Sequence, residues 1–78
     1  MPDVLLLGKP GCHLCDDARA IVTEVLAEFP AATFAETSIL DDPELLDAYA
    51  EEIPVVLIDG RVHTIWRVDP ARLRKALA

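Results

Sequence analysis

The chain has 78 residues, of which 53% are apolar and 27% are charged. This length allows one hydrophobic core, and the composition is that of a globular domain and not of a disordered or fibrous chain. Fourteen acidic residues against seven Lys and Arg give a net charge of −7, which disfavours nucleic acid and anionic membrane surfaces as partners. We therefore expect one domain over residues 1–78 that acts as a monomer, without nucleic acid or membrane as its partner.

The first apolar run, from Val4 to Leu7, ends at Gly8 and predicts a buried strand. No basic segment precedes this run and no small-residue cleavage site follows it, so the pattern is not that of a secretion signal. No run approaches the roughly 18 apolar residues that a membrane-spanning helix requires. These observations predict a cytoplasmic protein.

A long amphipathic helix is predicted next, because apolar residues recur at intervals of three and four from Leu14 to Phe29. Pro30 ends that pattern. The segment from Ala32 to Ile39 favours a second strand, since most of its larger side chains are β-branched or aromatic, and Glu36 is its least typical member. A strand, a helix and a strand therefore occupy the first half of the chain.

A second, shorter helix follows the second strand at once. Asp41 or Asp42 supplies a side-chain cap for its N-terminus, and Pro43 suits its first turn. Pro54 excludes the helical conformation for the residue before it, so the helix must stop before that point. The predicted length is about ten residues.

The last third of the chain predicts a hairpin and a helix. Asp59-Gly60 separates the predicted strands Val55–Ile58 and Arg61–Trp66, and this dipeptide favours a type I′ turn between antiparallel strands. Asp69-Pro70 then provides a cap and a first-turn proline for a final helix. The predicted order is βαβαββα, which places the chain in the α/β class.

The chemistry-bearing motif is Cys12-His13-Leu14-Cys15, at the junction between the first strand and the first helix. Side chains three apart on a helix have Cβ atoms about 5–6 Å apart, so this pair can form and release a disulfide. Cys12 sits where free N–H groups and the helix dipole favour a thiolate, which makes it the expected nucleophile. Cys15, one turn further in, is then the resolving thiol.

Two other uses of the same cysteines remain open. A Cys-x-x-Cys pair is half of a zinc site, although zinc takes four ligands and the chain adds only His13 and His63 besides carboxylates. The alternative function is therefore a module that binds a metal or an iron–sulfur cluster through Cys12 and Cys15. A third possibility is an interaction domain whose thiols take no part in chemistry.

The segments Lys9-Pro10-Gly11-Cys12-His13-Leu14-Cys15 and Ile53-Pro54-Val55, together with the element order, resemble glutaredoxin within the thioredoxin fold, and most closely the short bacterial glutaredoxin-like proteins. The resemblance spans nearly the whole chain. It implies a four-stranded mixed sheet in the spatial order second, first, third and fourth strand, with helices on both faces. It also implies a cis Ile53–Pro54 bond.

The resemblance further implies a thiol–disulfide oxidoreductase with Cys12 and Cys15 as catalytic residues, and with Lys9, Ile53 and Pro54 at the substrate. No cofactor and no metal are expected. The expected substrate is a disulfide-containing protein or a low-molecular-weight thiol, and an external thiol or a reductase would supply the electrons. His13-Leu14 replaces the Pro-Tyr that is usual in glutaredoxins, so their redox potential does not transfer to this chain.

Three further residues have simpler expected roles. Trp66 is expected to pack between the last strand and the last helix, where a large aromatic side chain fills space, and the alternative is a platform for the substrate. His63 is expected at the surface of an edge strand. Arg19 follows Asp16 by three positions, so we expect the two charges to offset each other near Cys12.

Overall fold

A computed structural model describes residues 2–78, and its helices and strands follow the predicted order βαβαββα. The elements are β1 (Asp3–Gly8), α1 (His13–Leu26), β2 (Thr33–Ser38), α2 (Pro43–Tyr49), β3 (Val55–Ile58), β4 (Arg61–Ile65) and α3 (Pro70–Leu77). A 3-10 turn, Ile39–Asp41, joins β2 to α2. None of the helices in the described part of the chain is long and apolar enough to span a bilayer.

The four strands form one mixed sheet in the spatial order β2-β1-β3-β4, as the resemblance implies. β1 pairs parallel with β2 and antiparallel with β3, and β3 pairs antiparallel with β4. The turn between β3 and β4 has positive φ at both central residues, 52° at Asp59 and 82° at Gly60. This is the backbone that the predicted hairpin dipeptide favours.

Because side chains alternate across a strand, each face of the sheet carries its own apolar cluster. On one face, β1 and β3 pack against α1 and α3 through Val4, Leu6, Ala18, Val22, Val25, Val56, Val68 and Leu73. The other cluster contains Leu7, Cys15, Ile39, Ile53, Val55 and Leu57, with α2 contributing Leu45 and Tyr49 at its border. Helices therefore cover both faces, and the second cluster reaches one of the two cysteines.

The helix ends differ slightly from the predicted ones. α1 ends at Leu26 and not at Phe29, because the N–H groups of Glu28 and Phe29 bond to carbonyls three residues back and tighten the chain into a turn. Phe29 still packs against the core, which is why the apolar spacing continues past the helix. α2 has seven residues and not ten, and Asp42 is its cap, with Oδ1 accepting the N–H of Glu44 at 2.9 Å.

Candidate active site

The two cysteines lie at the N-terminus of α1, directly beyond the turn that follows β1. They form a disulfide, with their Cα atoms 5.2 Å apart. Cys12 is the N-cap of the helix, in extended backbone conformation, and its Sγ accepts the N–H of Cys15 at 3.2 Å. The first sulfur therefore replaces the oxygen that usually caps a helix, and it lies where backbone N–H groups and the helix dipole favour negative charge.

The two sulfurs differ in their access to solvent. Cys15 is only 1% exposed and packs with Leu7, Ile39 and Val55 in the cluster on the α2 side of the sheet. Cys12 is half-buried and lies at the border of that cluster. A partner can therefore reach Cys12, whereas Cys15 is shielded by apolar side chains.

Gly8, the last residue of β1, allows this close packing. A Cβ atom built on Gly8 would lie 3.0 Å from Sγ and 3.1 Å from Cβ of Cys15, both shorter than ordinary van der Waals contacts. Only a residue without a side chain lets α1 approach the strand this closely without displacement. The sequence showed Gly8 as the end of a strand, and its contact with the buried cysteine becomes visible only once α1 is docked.

The residues predicted to bind the substrate differ in their burial and in their contact with the cluster that contains Cys15. Ile53 is 9% exposed and belongs to the same cluster as Cys15, and the bond to the buried Pro54 is cis, as the resemblance implies. Within residues 2–78, the backbone N–H and C=O of Ile53 make no hydrogen bond to another backbone group. Lys9 lies in the exposed turn after β1, so the fold brings Ile53 into the cluster of Cys15 and leaves Lys9 on the solvent side.

A cluster of charges lies beside the first turn of α1. Arg19 donates to Asp16 at 2.9 Å, as expected from their spacing, and also to both carboxylate oxygens of Glu36 on β2, at 2.7 and 2.5 Å. The hydrogen bond from Arg19 holds the pKa of Glu36 below its usual range, and the two carboxylates raise the pKa of Arg19. The sequence did not predict Glu36 as a partner of Arg19. The one sign of a special role for Glu36 in the sequence was that glutamate is unfavourable in a strand.

Trp66 does not pack between β4 and α3 as expected. It is 53% exposed, and its φ of 67° ends β4 at Ile65. This left-handed conformation costs a non-glycine residue about 1–2 kcal/mol. The backbone N–H donates to the carbonyl of Pro54 at 2.8 Å, and the indole Nε1 donates to the carbonyl of Glu51 at 3.0 Å, so the residue is held in place from both ends.

Neither histidine lies in a cluster of metal-binding side chains. His13 is exposed on the first turn of α1, whereas His63 is half-buried on β4. Burial lowers the pKa of His63, and the nearby charge of Arg72 lowers it further. Among residues 2–78, no group of three or more His, Cys, Asp or Glu side chains is placed to hold a metal ion.

The chain is similar to known proteins over almost its full length. The family model for the glutaredoxin-like domain (DUF836) matches residues 3–78. An uncharacterized protein of Mycobacterium tuberculosis is 35% identical over 85 residues, covering 99% of this chain and 84% of the relative. The X-ray structure of a structural-genomics target protein from X. campestris superimposes with a TM-score of 0.71 at 36% identity, covering 95% of this chain and 93% of that one.

A match at lower sequence identity supports the assignment of the fold and nothing further. Oxidized mitochondrial thioredoxin 3 from Saccharomyces cerevisiae superimposes with a TM-score of 0.71 at 16% identity, covering 97% of this chain and 76% of that one. The architecture is therefore a thioredoxin-like α/β fold that carries a Cys-x-x-Cys pair in a disulfide. With the family model matched over residues 3–78, this chain belongs to the glutaredoxin-like domain family.

Proposed function

We propose that this protein is a thiol–disulfide oxidoreductase whose dithiol reduces or exchanges disulfides. The observation that carries the proposal is the asymmetry of the cysteine pair: Cys12 is accessible and caps α1, whereas Cys15 is buried one turn further in. The thiolate is the reactive form of cysteine, and the N-terminus of α1 favours negative charge at Cys12.

The reaction proceeds in two exchange steps that balance without a cofactor. The Cys12 thiolate attacks one sulfur of the substrate disulfide, which forms a mixed disulfide and releases the other substrate sulfur as a thiolate. Cys15 then loses its proton and attacks Cys12, which closes the Cys12–Cys15 disulfide and releases the second substrate sulfur. Two electrons pass to the substrate, and an external thiol or a reductase restores the dithiol.

Ile53 and Pro54 bind the substrate in this proposal, and Lys9 attracts its charge. The free backbone N–H and C=O of Ile53 lie next to the cluster that contains Cys15, so an extended substrate strand pairs with them as it would with a sheet edge. The Lys9 ammonium group, exposed three residues before Cys12, favours an approaching carboxylate and the nearby thiolate alike.

The partners are therefore disulfide-containing proteins or low-molecular-weight thiols. We also propose that residues 1–78 act as one domain, as a monomer and in the cytoplasm, where a reducing environment keeps such a dithiol ready for use. The net charge of −7 supports the proposal that nucleic acid and anionic membranes are not partners of this protein.

Single-turnover reactions of two serine variants with a small disulfide, bis(2-hydroxyethyl) disulfide, test the proposal. Cys12→Ser should not react, whereas Cys15→Ser should make the first attack and accumulate a mixed disulfide that intact-mass spectrometry detects. The two substitutions are matched chemically, and circular dichroism establishes that both variants are folded. If a folded Cys15→Ser is as inactive as Cys12→Ser, the assignment of nucleophile and resolving thiol is wrong.

A further inference from the structure

The loop of residues 50–54, between α2 and β3, contains Ile53, whose side chain belongs to the cluster around Cys15. Among the described residues, both hydrogen bonds that reach this loop from outside α2 come from Trp66. Its backbone N–H donates to the carbonyl of Pro54 at 2.8 Å, and its indole Nε1 donates to the carbonyl of Glu51 at 3.0 Å. The two acceptors come one residue after Ile53 and two residues before it, so Trp66 clamps the chain on both sides of Ile53.

Trp66 makes both bonds from a γ-turn. The N–H of Arg67 donates to the carbonyl of Ile65 at 2.8 Å, which closes a three-residue turn with Trp66 at its centre. The φ of Trp66 is 67°, so the turn has the rare and strained form. The Thr64 hydroxyl donates to the carbonyl of Arg67 at 3.1 Å and spans the turn. In a regular strand the side chain stands perpendicular to the sheet in which the N–H lies, whereas this turn directs both donors of Trp66 to one loop.

The residue type at this turn points to a use for the indole. Glycine adopts a positive φ without steric cost, whereas a bulky residue does so only where its surroundings enforce it. The Trp66 side chain is 53% exposed, so burial of apolar surface accounts for only part of what a tryptophan gains at this position. The hydrogen bond from Nε1 to Glu51 is what a tryptophan supplies and a glycine lacks.

We propose that Trp66 is a positioning residue, which holds the backbone N–H and C=O of Ile53 in place for an extended polypeptide strand that carries the substrate disulfide. This inference rests on the proposed function, since that function pairs the substrate with Ile53. Within residues 2–78, these two groups make no hydrogen bond to another backbone group, so the pairing position is open. A loop that is already fixed loses less conformational freedom when a strand pairs with it, so the clamp strengthens that pairing. Trp66 acts through Glu51 and Pro54 and not through contact with the substrate.

The clamp has a signature of its own. Trp66 is the single tryptophan of the chain, so its indole N–H gives one NMR signal. The hydrogen bond to Glu51 should slow the exchange of this proton with solvent by about tenfold or more relative to free tryptophan, although the side chain is 53% exposed. If the indole proton exchanges at the rate of free tryptophan, the clamp is not formed and the proposal is wrong.

Three variants separate the indole N–H from the aromatic ring and from the nearby charge. Chemical synthesis of the 78-residue chain places the benzothiophene analogue of tryptophan at position 66, in which sulfur replaces the N–H and the bicyclic ring is kept. Trp66→Phe also removes this donor and keeps an aromatic ring. Glu51→Gln is the matched control, because the clamp uses the backbone carbonyl of Glu51 and not its carboxylate.

The reduced proteins react with three disulfides under single-turnover conditions. These are a cyclic disulfide peptide, the same peptide with methylated backbone nitrogens next to its cysteines, and bis(2-hydroxyethyl) disulfide. The methylated peptide has no N–H to donate to the Ile53 carbonyl, and the small disulfide has no peptide backbone. Loss of the indole N–H should slow the unmethylated peptide roughly twofold to tenfold, as loss of one hydrogen bond does, and change the other two rates by less than about twofold.

The control Glu51→Gln should leave all three rates unchanged. If loss of the indole N–H slows the three disulfides equally, Trp66 has a general structural role and the proposal is wrong. If it slows none of them, the clamp does not act on the substrate, which also overturns the proposal.

A binding measurement separates this inference from the proposed function. In the Cys12→Ser, Cys15→Ser protein, a linear peptide with serine for cysteine should shift the NMR signal of the Ile53 amide, and Trp66→Phe should raise its dissociation constant roughly twofold to tenfold. If wild-type protein reduces no disulfide but Trp66→Phe weakens peptide binding, the proposed function fails and the positioning role stands. If the peptide does not shift the Ile53 signal, or binds both proteins equally, the positioning role fails even where the redox activity is present.

Discussion

Replacing Gly8 by alanine adds one methyl group against the buried cysteine. The new Cβ atom would lie 3.0 Å from Sγ of Cys15, so one of the two must move by a few tenths of an ångström. Overpacking of this kind typically costs about 1–3 kcal/mol. Alanine recovers about 0.5–1 kcal/mol in a strand, because glycine loses more conformational freedom on folding. We therefore expect the oxidised protein to lose about 1 kcal/mol of folding free energy.

The folding free energy that Gly8→Ala costs should depend on the redox state of the two cysteines. In the disulfide, Sγ of Cys15 is tied to Cys12 and cannot rotate away from the new methyl group, whereas in the dithiol it can. The reduced form is then favoured by up to about 1 kcal/mol, which corresponds to a reduction potential less negative by about 20 mV. Equilibrium titration against a dithiothreitol redox buffer measures this shift. Urea unfolding measures how much Gly8→Ala destabilises each redox form, and the difference between these two values should match the free energy that corresponds to the shift in potential.

Gly60→Ala is the matched control for this prediction. Gly60 has φ of 82° and its Cβ would meet nothing within 4 Å, so alanine costs backbone strain and no contact with the active site. It should destabilise both redox forms equally and leave the reduction potential unchanged. If Gly8→Ala leaves the reduction potential unchanged or makes it more negative, the contact between residue 8 and Cys15 does not favour the dithiol over the disulfide.

Two further predictions concern charge. Arg19→Gln leaves Asp16 without its partner near the start of α1. In the Cys15→Ser background, this substitution should raise the pKa of the Cys12 thiol, and the rise should be smaller at high salt. A thiolate absorbance titration that Arg19→Gln leaves unchanged at low salt would contradict this. Burial lowers the pKa of His63, so the unfolded chain takes up its proton first as pH falls below about 6.5 and folding stability decreases. Urea unfolding between about pH 7.5 and about pH 5.5 should show a smaller loss of folding free energy in His63→Asn than in the wild type. An identical pH dependence in both proteins would refute this prediction.

The order of elements was predictable because each element has a local signal of its own. The caps at Asp42 and Asp69 lie at the predicted helix starts, and Asp59-Gly60 forms the predicted turn. The spatial order of the strands was available only through the resemblance, since local patterns do not say which strands pair. The cis Ile53–Pro54 bond came from the same source.

The surroundings of the cysteines were less predictable, because they depend on residues that meet only in the folded chain. Glu36 and Arg19 lie on different elements, and the strand pattern alone gave no reason to pair them. Trp66 continues the strand pattern in the sequence, yet its left-handed backbone turns the chain away from the sheet. The cause is a pair of hydrogen bonds to carbonyls at residues 51 and 54, which no local pattern encodes.

The fold separates charge from the buried sulfur. Among the described residues, no polar or charged side chain other than the cysteine itself is buried, and the cluster around Cys15 is formed by apolar residues. Burial without a charged partner disfavours a thiolate, and in the proposed exchange Cys15 reacts only once a mixed disulfide brings a sulfur within its reach. Asp16, Arg19 and Lys9 all lie toward solvent and outside this cluster. One helix N-terminus thus holds two cysteines of unequal burial, and this inequality gives the proposed two-step exchange its order.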